Sequence, residues 1–373
     1  MRCLTRISTI ACMCFLWTAG IAGAATLVVQ QDGSGDYLNI AAALAAAQPG
    51  DLIQVGTGVY TELLTIGVTD LTIESISGPA ATVLDGLNAH RILLVSGPYA
   101  VTLRGLTFTN GLSSGEGGFG SGILAWNGPT LVIEDCVFVG NTAGWDNAAI
   151  HVRHTGTTVT CTNCVFEDNS AEHNGGACGV MYGAVLMMEH CVFRENNTPG
   201  QAGACNAFDG GHLSIQHSLF VRNRGLIGAV GICSASANIS HNTFHANQSL
   251  EHASIMFYIG ASGTFNQNIV SNDGVGAGLK ISSSTCLHNC NVYFDNAAGH
   301  IVGSGFGHGE VVAEPLFCDA NGDDFTLCAD SPALADNNGC GVLIGAYGEG
   351  CGPCGGVIAV EHHTWTGVKA RFR

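Results

Sequence analysis

The sequence has 373 residues, of which 46% are hydrophobic, 11% are charged and 53 are glycine. Its formal net charge of −17 opposes binding to nucleic acid or anionic lipid, because lysine and arginine supply the affinity for phosphate. The hydrophobic fraction excludes a disordered chain, and the absence of a three-residue glycine period excludes collagen.

The first 24 residues have the pattern of a signal peptide. Arg2 and Arg6 precede the apolar run Ile7–Ile21, and small residues follow at 22–24. The run is short for a membrane span, and a signal anchor is the alternative interpretation. We therefore expect an exported chain, secreted or attached to the cell surface, with no transmembrane segment after signal removal and with access to disulfide formation.

An alanine-rich segment, Ala41–Ala47, is the strongest helix-forming stretch and is followed by Pro49 and Gly50. The segments after it carry short apolar strands instead. We expect this helix to lie across the open end of whatever those strands build.

A short apolar strand ending in a large apolar residue, with Asn soon after it, recurs every 24 to 30 residues. The repeated positions are Phe108, Phe138, Phe166, Phe193, Phe220, Phe244 and a decayed copy at Ile269. Each repeat also contains period-2 stretches, such as Leu131–Ile133, and no apolar residues at helical spacing. One repeat has room for three strands and their turns. This predicts an all-β fold class, a right-handed parallel β-helix (solenoid) over residues 25–312, with an N-terminal helical cap.

Stacked coils place equal repeat positions in contact, so the repeats predict columns of like residues. Cys136, Cys164 and Cys191 form one inward column, which could consist of reduced core thiols, and Cys178 joins Cys205 in a second. The predicted asparagine ladder at a turn comprises Asn110, Asn141, Asn169, Asn196, Asn223, Asn247 and Asn272.

The C-terminal part divides into a Cys-rich cap, residues 313–355, and a basic and aromatic tail, residues 356–373. We expect disulfides within the cap, with the pairing open, among Cys318, Cys328, Cys340, Cys351 and Cys354. The tail could be a sorting or docking segment, or a frayed terminus.

Three segments resemble known β-helix proteins. The opening Asp32–Glu62 looks like the start of pectin-lyase-like proteins, and Asn174–Ala177 is similar to repeats of polymorphic outer-membrane proteins. The ending Glu314–Ala346 resembles the closing segment of secreted bacterial β-helix proteins. The resemblance implies the fold rather than an activity. Signatures of pectin methylesterases and pectate lyases are missing, and Gly307–Gly309 matches only one element of the polygalacturonase set.

A polar group follows one predicted strand: His151, Arg153 and His154, with Asp168 and Glu189 on nearby coils. Uronate elimination needs a base for the α-proton and a cation for the developing enolate, and these residue types can supply both. The alternative interpretation is an ordinary polar face of the solenoid.

Aromatic residues recur just before glycines in successive coils, together with one aspartate. They are Trp126, Tyr182, Phe208, Asp209 and Tyr258. If they point outward they could stack on sugar rings along a groove, and if they point inward they belong to the core.

The sequence contains two patterns that could bind a metal ion. His190, His217 and His241 share one repeat position and could stack as zinc or copper ligands, but a linear column suits a solvated ladder better. Asp319–Asp324 has part of the oxygen spacing of a calcium loop, and a turn is the preferred interpretation. No cofactor is required, although calcium could be bound.

The sequence therefore favours a secreted or cell-surface, monomeric β-helix without catalytic activity that binds a polysaccharide or a cell-surface protein. The alternative is a polysaccharide lyase or hydrolase that acts on uronate-containing glycans through a non-standard site at Arg153 and His154.

Overall fold

The computed structural model describes residues 23–354 and shows a parallel β-helix. Each coil contributes one strand to each of three long parallel sheets, which we call A, B and C in the order in which the chain visits them. The predicted all-β solenoid is confirmed. The predicted signal peptide, apart from its last two residues, and the C-terminal tail lie outside the described residues.

Sheet A has 11 strands: Thr26–Val29, Leu52–Val55, Leu71–Ser75, Ala100–Arg104, Thr130–Glu134, Thr158–Thr162, Val185–Glu189, His212–Gln216, Ser236–Ser240, Ser262–Asn266 and Thr285–Asn289. Sheet B also has 11: Gly58–Tyr60, Thr82–Asp85, Thr107–Thr109, Val137–Val139, Val165–Glu167, Val192–Arg194, Leu219–Val221, Thr243–His245, Ile269–Ser271, Val292–Phe294 and Val311–Val312. Sheet C has 10: Leu64–Ile66, Leu93–Ser96, Ile123–Trp126, Ile150–Arg153, Cys178–Met181, Cys205–Phe208, Val230–Cys233, Ala253–Tyr258, Ala277–Ser282 and Ile301–Val302.

Shorter elements complete the described chain. Two-residue strands between sheets B and C are Leu112–Ser113, Thr142–Ala143, Ser170–Ala171, Arg224–Gly225 and Gln248–Ser249. The C-terminal strands are Phe317–Asp319, Asp324–Cys328 and Glu349–Cys351. The helices are the α-helix Ile40–Ala46 and the 3-10 turns Gly115–Gly117, Ala320–Gly322 and Ala335–Asn337.

The predicted phenylalanine column is confirmed from Phe108 to Phe244. Neighbouring rings stack with centroids 4.4 to 5.0 Å apart, and all six side chains are buried. The seventh position was predicted one residue too early, because Val270 rather than Ile269 pairs with Phe244. Ring-on-ring contact repeated at the coil spacing explains why this position repeats so faithfully.

The asparagine ladder is confirmed for five buried residues, Asn141, Asn169, Asn196, Asn223 and Asn247. In each step the amide donates to the Oδ1 of the next asparagine, with N···O distances of 2.9 to 3.0 Å. The same amide also donates to a phenylalanine carbonyl of the coil before.

Asn110 and Asn272 were wrongly assigned to that ladder. Both adopt the left-handed conformation, with φ of 53° and 59°, at the turn position one residue earlier. At the ladder position itself, Asp273 follows Asn247, and its backbone N–H donates to Asn296 Oδ1. The misassignment arose because asparagine suits both a left-handed turn and an amide ladder.

The cysteine column Cys136, Cys164 and Cys191 is buried and unbridged, as predicted, and Cys178 pairs in register with Cys205. Burial raises the pKa of Cys136 to about 12, which keeps this thiol protonated and unreactive. Further along the chain the column becomes a second amide ladder of Asn242, Asn268 and Asn291. Cysteine and asparagine can both occupy this position because the thiol and the amide each bond to backbone at the turn between sheets A and B.

The predicted N-terminal helix covers the first coils. Its N-terminus is capped by Asn39, whose side chain accepts from the backbone of Ala42. The Glu62 carboxylate accepts from the backbone N–H groups of Ile40 and Ala41 at 2.9 and 2.7 Å. Ile40 is fully buried, so the helix closes the apolar interior at this end.

The cysteine prediction for the C-terminal part holds for two bridges, Cys318–Cys351 and Cys328–Cys354. The third was outside the predicted set, because Cys340 pairs with Cys290 of the solenoid. Sequence analysis did not predict Cys290 as the partner of Cys340, because the two cysteines are 50 residues apart.

The Cys-rich segment folds back along the outer face of sheet B. Phe325 packs against Val192, Leu219 and Val221 there. Asp323 forms ion pairs with Arg194 at 3.3 Å and Arg222 at 2.8 Å. Within the segment Asp319 accepts from the backbone of Gly322, as in a turn. Sheet B is thus covered over several coils.

No helix among residues 23–354 is both long enough and apolar enough to cross a membrane.

Candidate functional site

The outward row at the end of sheet C carries the strongest candidate site. The register places one residue of each coil in this row: Trp126, Arg153, Met181, Phe208, Cys233 and Tyr258. Ile150 and Val152 of one such strand belong to the core, so the alternation of a strand directs Arg153 outward. Successive members are one coil, about 4.8 Å, apart.

The structure divides the predicted aromatic set between two columns. Trp126, Phe208 and Tyr258 lie in the outward row, and all three are half-buried. Tyr182 and Asp209 follow it by one residue, in the left-handed turn, with φ of 56° and 44°. Tyr182 is 45% exposed. The predicted residues therefore point outward, away from the core.

Arg153 lies among three aromatic rings. Its guanidinium carbon is 5.3 Å from the ring centroid of Phe119, 5.4 Å from Tyr182 and 5.9 Å from Trp126. Cations at this distance from aromatic rings are attracted by the ring quadrupole. Among the described residues no carboxylate forms a salt bridge with Arg153, so its charge is held in place by rings.

His154 lies between the rings of Trp126 and Tyr182, with centroids 5.9 and 6.0 Å away. Its Nδ1 is 2.7 Å from Asn127 Oδ1. An amide oxygen only accepts, so Nδ1 carries the proton and Nε2 keeps its lone pair. Partial burial and the charge of Arg153 lower the pKa of His154, which favours this neutral form.

His151 points outward from the same strand but is fully buried beneath a loop. The ring of Phe119 stacks on it at 4.7 Å, and Asn147 Nδ2 lies 2.8 Å from its Nδ1. Burial, with smaller effects from the nearby Arg153, Arg91 and His154, lowers the pKa of His151 to about 3. His151 is therefore neutral in the folded chain.

The loop that carries Phe119 is fixed by Arg91, which sequence analysis missed. The Arg91 guanidinium donates to the carbonyl oxygens of Phe119 at 2.8 Å and Gly120 at 2.9 Å. Both arginines thus lie on one side of the solenoid, one fixing the loop and the other facing outward. The sequence signal for this loop was an aromatic residue, Phe119, in a glycine-rich segment. The contact with Arg91 could not be predicted from it, because loop lengths differ between coils.

Behind His151 several buried polar atoms have no hydrogen-bond partner among the described residues. They are His151 Nε2, Asn147 Oδ1 and both polar side-chain atoms of Asn206. Gly179 leaves the space that the two amides occupy, since a Cβ there would lie 1.9 Å from Asn206 Oδ1 and 2.3 Å from Asn147 Oδ1.

A cavity of about 300 Å³ opens beside this site, between the short strands and loops that precede sheet C. Trp145 and His173 stack along it with ring centroids 4.1 Å apart. The backbone N–H of Trp145 donates to Gly118, next to Phe119, which joins the cavity to the loop over His151. Burial raises the pKa of the neighbouring Asp146 to about 6.

Asp168 and Glu189 do not join Arg153. Asp168 lies in the left-handed turn that follows sheet B. Glu189 ends a strand of sheet A, with its carboxylate 3.6 Å from His190. The two acids thus lie at the other two corners of the coil.

The predicted histidine column forms. The rings of His190, His217 and His241 stack with centroids 5.2 and 4.8 Å apart, and each residue has a positive φ. Burial and the neighbouring histidine lower the pKa values of His217 and His241. Among residues 23–354, the clusters of potential metal ligands do not include this column. Its geometry fits the interpretation as a stacked ladder.

The family model described as the right handed beta helix region matches residues 72–200 and 121–298, which together cover more than half of the chain. The chain belongs to the right-handed β-helix family. No curated protein sequence matches this β-helix.

Three solved structures are similar to this chain to different degrees. The pectate lyase Pel9A is 15% identical and superposes with a TM-score of 0.60 over 89% of this chain and 98% of its own. The pectin methylesterase from carrot is 13% identical, with a TM-score of 0.40 over 77% and 88%. A PL6 family polysaccharide lyase from Pseudopedobacter saltans is 10% identical, with a TM-score of 0.34 over 80% and 95%. The predicted pectin-lyase-like fold is confirmed, and at these identities the likeness concerns the fold.

Proposed function

We propose that this β-helix is a secreted, non-catalytic carbohydrate-binding protein, and that its ligand is an acidic glycan held along the outward row of sheet C. One observation carries the proposal: the Arg153 guanidinium lies within 6 Å of three aromatic rings on an outward surface. Aromatic faces stack on sugar rings, and a guanidinium binds a carboxylate through paired hydrogen bonds. A sugar acid offers both partners at once.

The charge distribution favours this ligand over a neutral one. The chain as a whole repels polyanions, with a net charge of −17. At this site, however, Arg153 faces outward and forms no salt bridge with a carboxylate among the described residues. A local positive surface on an acidic protein selects for an anion that reaches it at a defined position.

The fold is compatible with the proposal. Pel9A, which superposes on nearly its whole length, is a pectate lyase. Since one fold carries many functions, this likeness supports the choice of ligand class only as an analogy. Export is supported by the three disulfides, which form in oxidising compartments.

The test is calorimetric binding of acidic and neutral oligosaccharides of equal length to the purified chain. We expect acidic oligosaccharides to bind and Arg153→Ala to weaken binding by at least about tenfold, the loss typical of a central charged contact. Arg104→Ala is the matched control, because Arg104 pairs with Glu74 and Glu134 on sheet A. Equal losses in both variants, or no binding to any acidic oligosaccharide, would contradict the proposal.

A second candidate, uronate elimination, is favoured by the free Nε2 of His154 beside Arg153. A neutral imidazole can remove the α-proton while the guanidinium stabilises the enolate. The assay follows the absorbance of unsaturated products from acidic polysaccharides, with and without calcium. Product formation that is lost in His154→Asn while binding persists would establish the lyase and exclude the non-catalytic proposal.

A further inference from the structure

The far end of the solenoid holds a polar cluster that the glycan site does not use. His288 lies in the last strand of sheet A, in register with the core residue Phe265, so its side chain points inward. After Ile301–Val302 the chain passes back across this end, and residues 303–310 cover His288.

Three side chains of this cluster form a linear relay. Ser304 Oγ is 3.1 Å from His288 Nε2, and His288 Nδ1 is 2.9 Å from Glu310 Oε1. A carboxylate can only accept from an imidazole, so Nδ1 carries the proton and the lone pair of Nε2 faces the serine hydroxyl. The Ser304 hydroxyl can also donate to the carbonyl oxygen of Gly305, at 3.2 Å.

The three side chains differ in their exposure to solvent, as a site with a buried base and an accessible nucleophile requires. The side chains of His288 and Glu310 are 4% and 1% exposed, whereas Ser304 is exposed. The base and the group that orients it are thus held in a fixed geometry, and the hydroxyl is open to a substrate.

We propose that Ser304, His288 and Glu310 form a catalytic triad that hydrolyses carboxylic esters with a short apolar acyl group. Ser304 is the nucleophile, His288 is the general base and acid, and Glu310 positions the imidazole. This site lies six coils from Arg153, about 30 Å along the solenoid.

The reaction balances with water as the second substrate. Ser304 Oγ bonds to the acyl carbon while its proton moves to His288 Nε2. The ester C–O bond then breaks, and the departing alcohol takes that proton. Water next gives a proton to His288 while its oxygen bonds to the acyl carbon, and the Ser304 ester bond breaks as the serine regains the proton. The products are one carboxylic acid and one alcohol.

Exposed apolar side chains two residues before and after Ser304 favour an ester with a small apolar acyl group. Phe306 and Val302 are 59% and 38% exposed on either side of it in sequence. Within the described chain, the backbone N–H groups of residues 304–307 donate no hydrogen bond, so they are available to an oxyanion.

Glu310 also has a structural role that a test must separate from catalysis. Its Oε1 accepts from Asn291 Nδ2 at 3.1 Å, which ends the second amide ladder. A purely structural carboxylate would affect folding, but it would not make one serine reactive.

The first experiment treats the full chain with a fluorophosphonate probe and maps the modified residue by mass spectrometry, alongside hydrolysis of p-nitrophenyl acetate. We expect a single label at Ser304 and, for Ser304→Ala, loss of labelling and at least a 1000-fold lower kcat, on the order of the loss of a triad member. Ser262→Ala removes an exposed serine of sheet A and should change neither readout.

The second variant, Glu310→Gln, keeps an oxygen for Asn291 but removes the charge that orients His288. We expect kcat to fall by roughly 100- to 10,000-fold with KM within a few-fold, since the carboxylate acts through the base. Labels spread over many serines, hydrolysis retained in Ser304→Ala, or no hydrolysis by the folded chain would each overturn the triad and leave the glycan site unaffected.

Discussion

In six consecutive coils one inward position always holds the same residue type, whereas one outward position holds a different residue in each coil. Phenylalanine fills the core position from Phe108 to Phe244, stacked ring on ring. In the same coils the outward row holds a different side chain each time, namely Trp126, Arg153, Met181, Phe208, Cys233 and Tyr258. An interior side chain meets its own repeat above and below, so packing selects one shape. The outward side chain contacts loops and solvent, so packing does not restrict its residue type and it can vary to suit a ligand.

The largest effect should come from breaking the interior column. Phe193→Ala removes a fully buried ring that stacks at 4.7 Å on Phe166 and at 4.4 Å on Phe220. We expect the free energy of unfolding to fall by about 3–5 kcal/mol, measured by chemical denaturation. Met187→Ala, on the outer face of sheet A, should cost under about 1 kcal/mol. Equal costs would contradict the distinction between inside and outside.

The asparagine ladder should give the next largest effect. Asn196→Ala removes the acceptor of the Asn169 amide and the donor to the Phe166 carbonyl, all of them buried. Each buried polar group that loses its hydrogen-bond partner costs about 1–3 kcal/mol. We therefore expect the free energy of unfolding to fall by about 2–4 kcal/mol, measured by chemical denaturation. The adjacent Asn197→Ala, at a half-buried position, is the control and should stay within about 0.5 kcal/mol.

The repeat made the interior predictable, because a column can be found wherever coils carry like residues at like positions. Errors arose where a residue type suits two adjacent positions. Asn272 belongs to the turn and Asp273 to the ladder, and Tyr182 lies one residue beyond the outward row. The register depends on where each strand ends and each loop begins, and the sequence alone does not define those boundaries.

Contacts between coils of unequal length were beyond sequence reasoning. Phe119 reaches Arg153 from a loop, and Cys340 reaches back to Cys290. The Ser304 relay combines residues with no common motif, since His288 faces inward as a core residue would. Each of these contacts depends on where a loop or the C-terminal segment packs against another coil. No local sequence pattern predicts that packing.

A pH-dependent effect should distinguish the buried His151 from the half-exposed residues near it. The pKa of His151 is lowered to about 3 by burial, Arg153, Arg91 and His154, whereas the unfolded value is 6.5. Below pH 6.5 the unfolded chain binds this proton and the folded chain does not, so stability is complete above that pH and falls as the pH is lowered. The unfolding free energy of His151→Gln should therefore decline less than that of the parent between pH 6.5 and 4. Parallel declines would contradict this assignment.

The smallest expected effect concerns an exposed ring of the site. Tyr182→Ala removes a 45% exposed side chain beside Arg153, so stability should change by less than about 0.5 kcal/mol. Its affinity for an acidic oligosaccharide should fall by about 2- to 12-fold, the worth of one aromatic contact. A stability loss as large as that of Phe193→Ala would show that the Tyr182 ring belongs to the core.

The most direct test of the central claim is hydroxyl-radical footprinting of the chain with and without a bound acidic oligosaccharide. The account predicts that the ligand protects Trp126, Tyr182 and Phe208, which line the Arg153 surface. Phe306, exposed at the far end, should be modified equally in both samples. Protection elsewhere on the solenoid, with these three rings unchanged, would contradict the assignment of the glycan site.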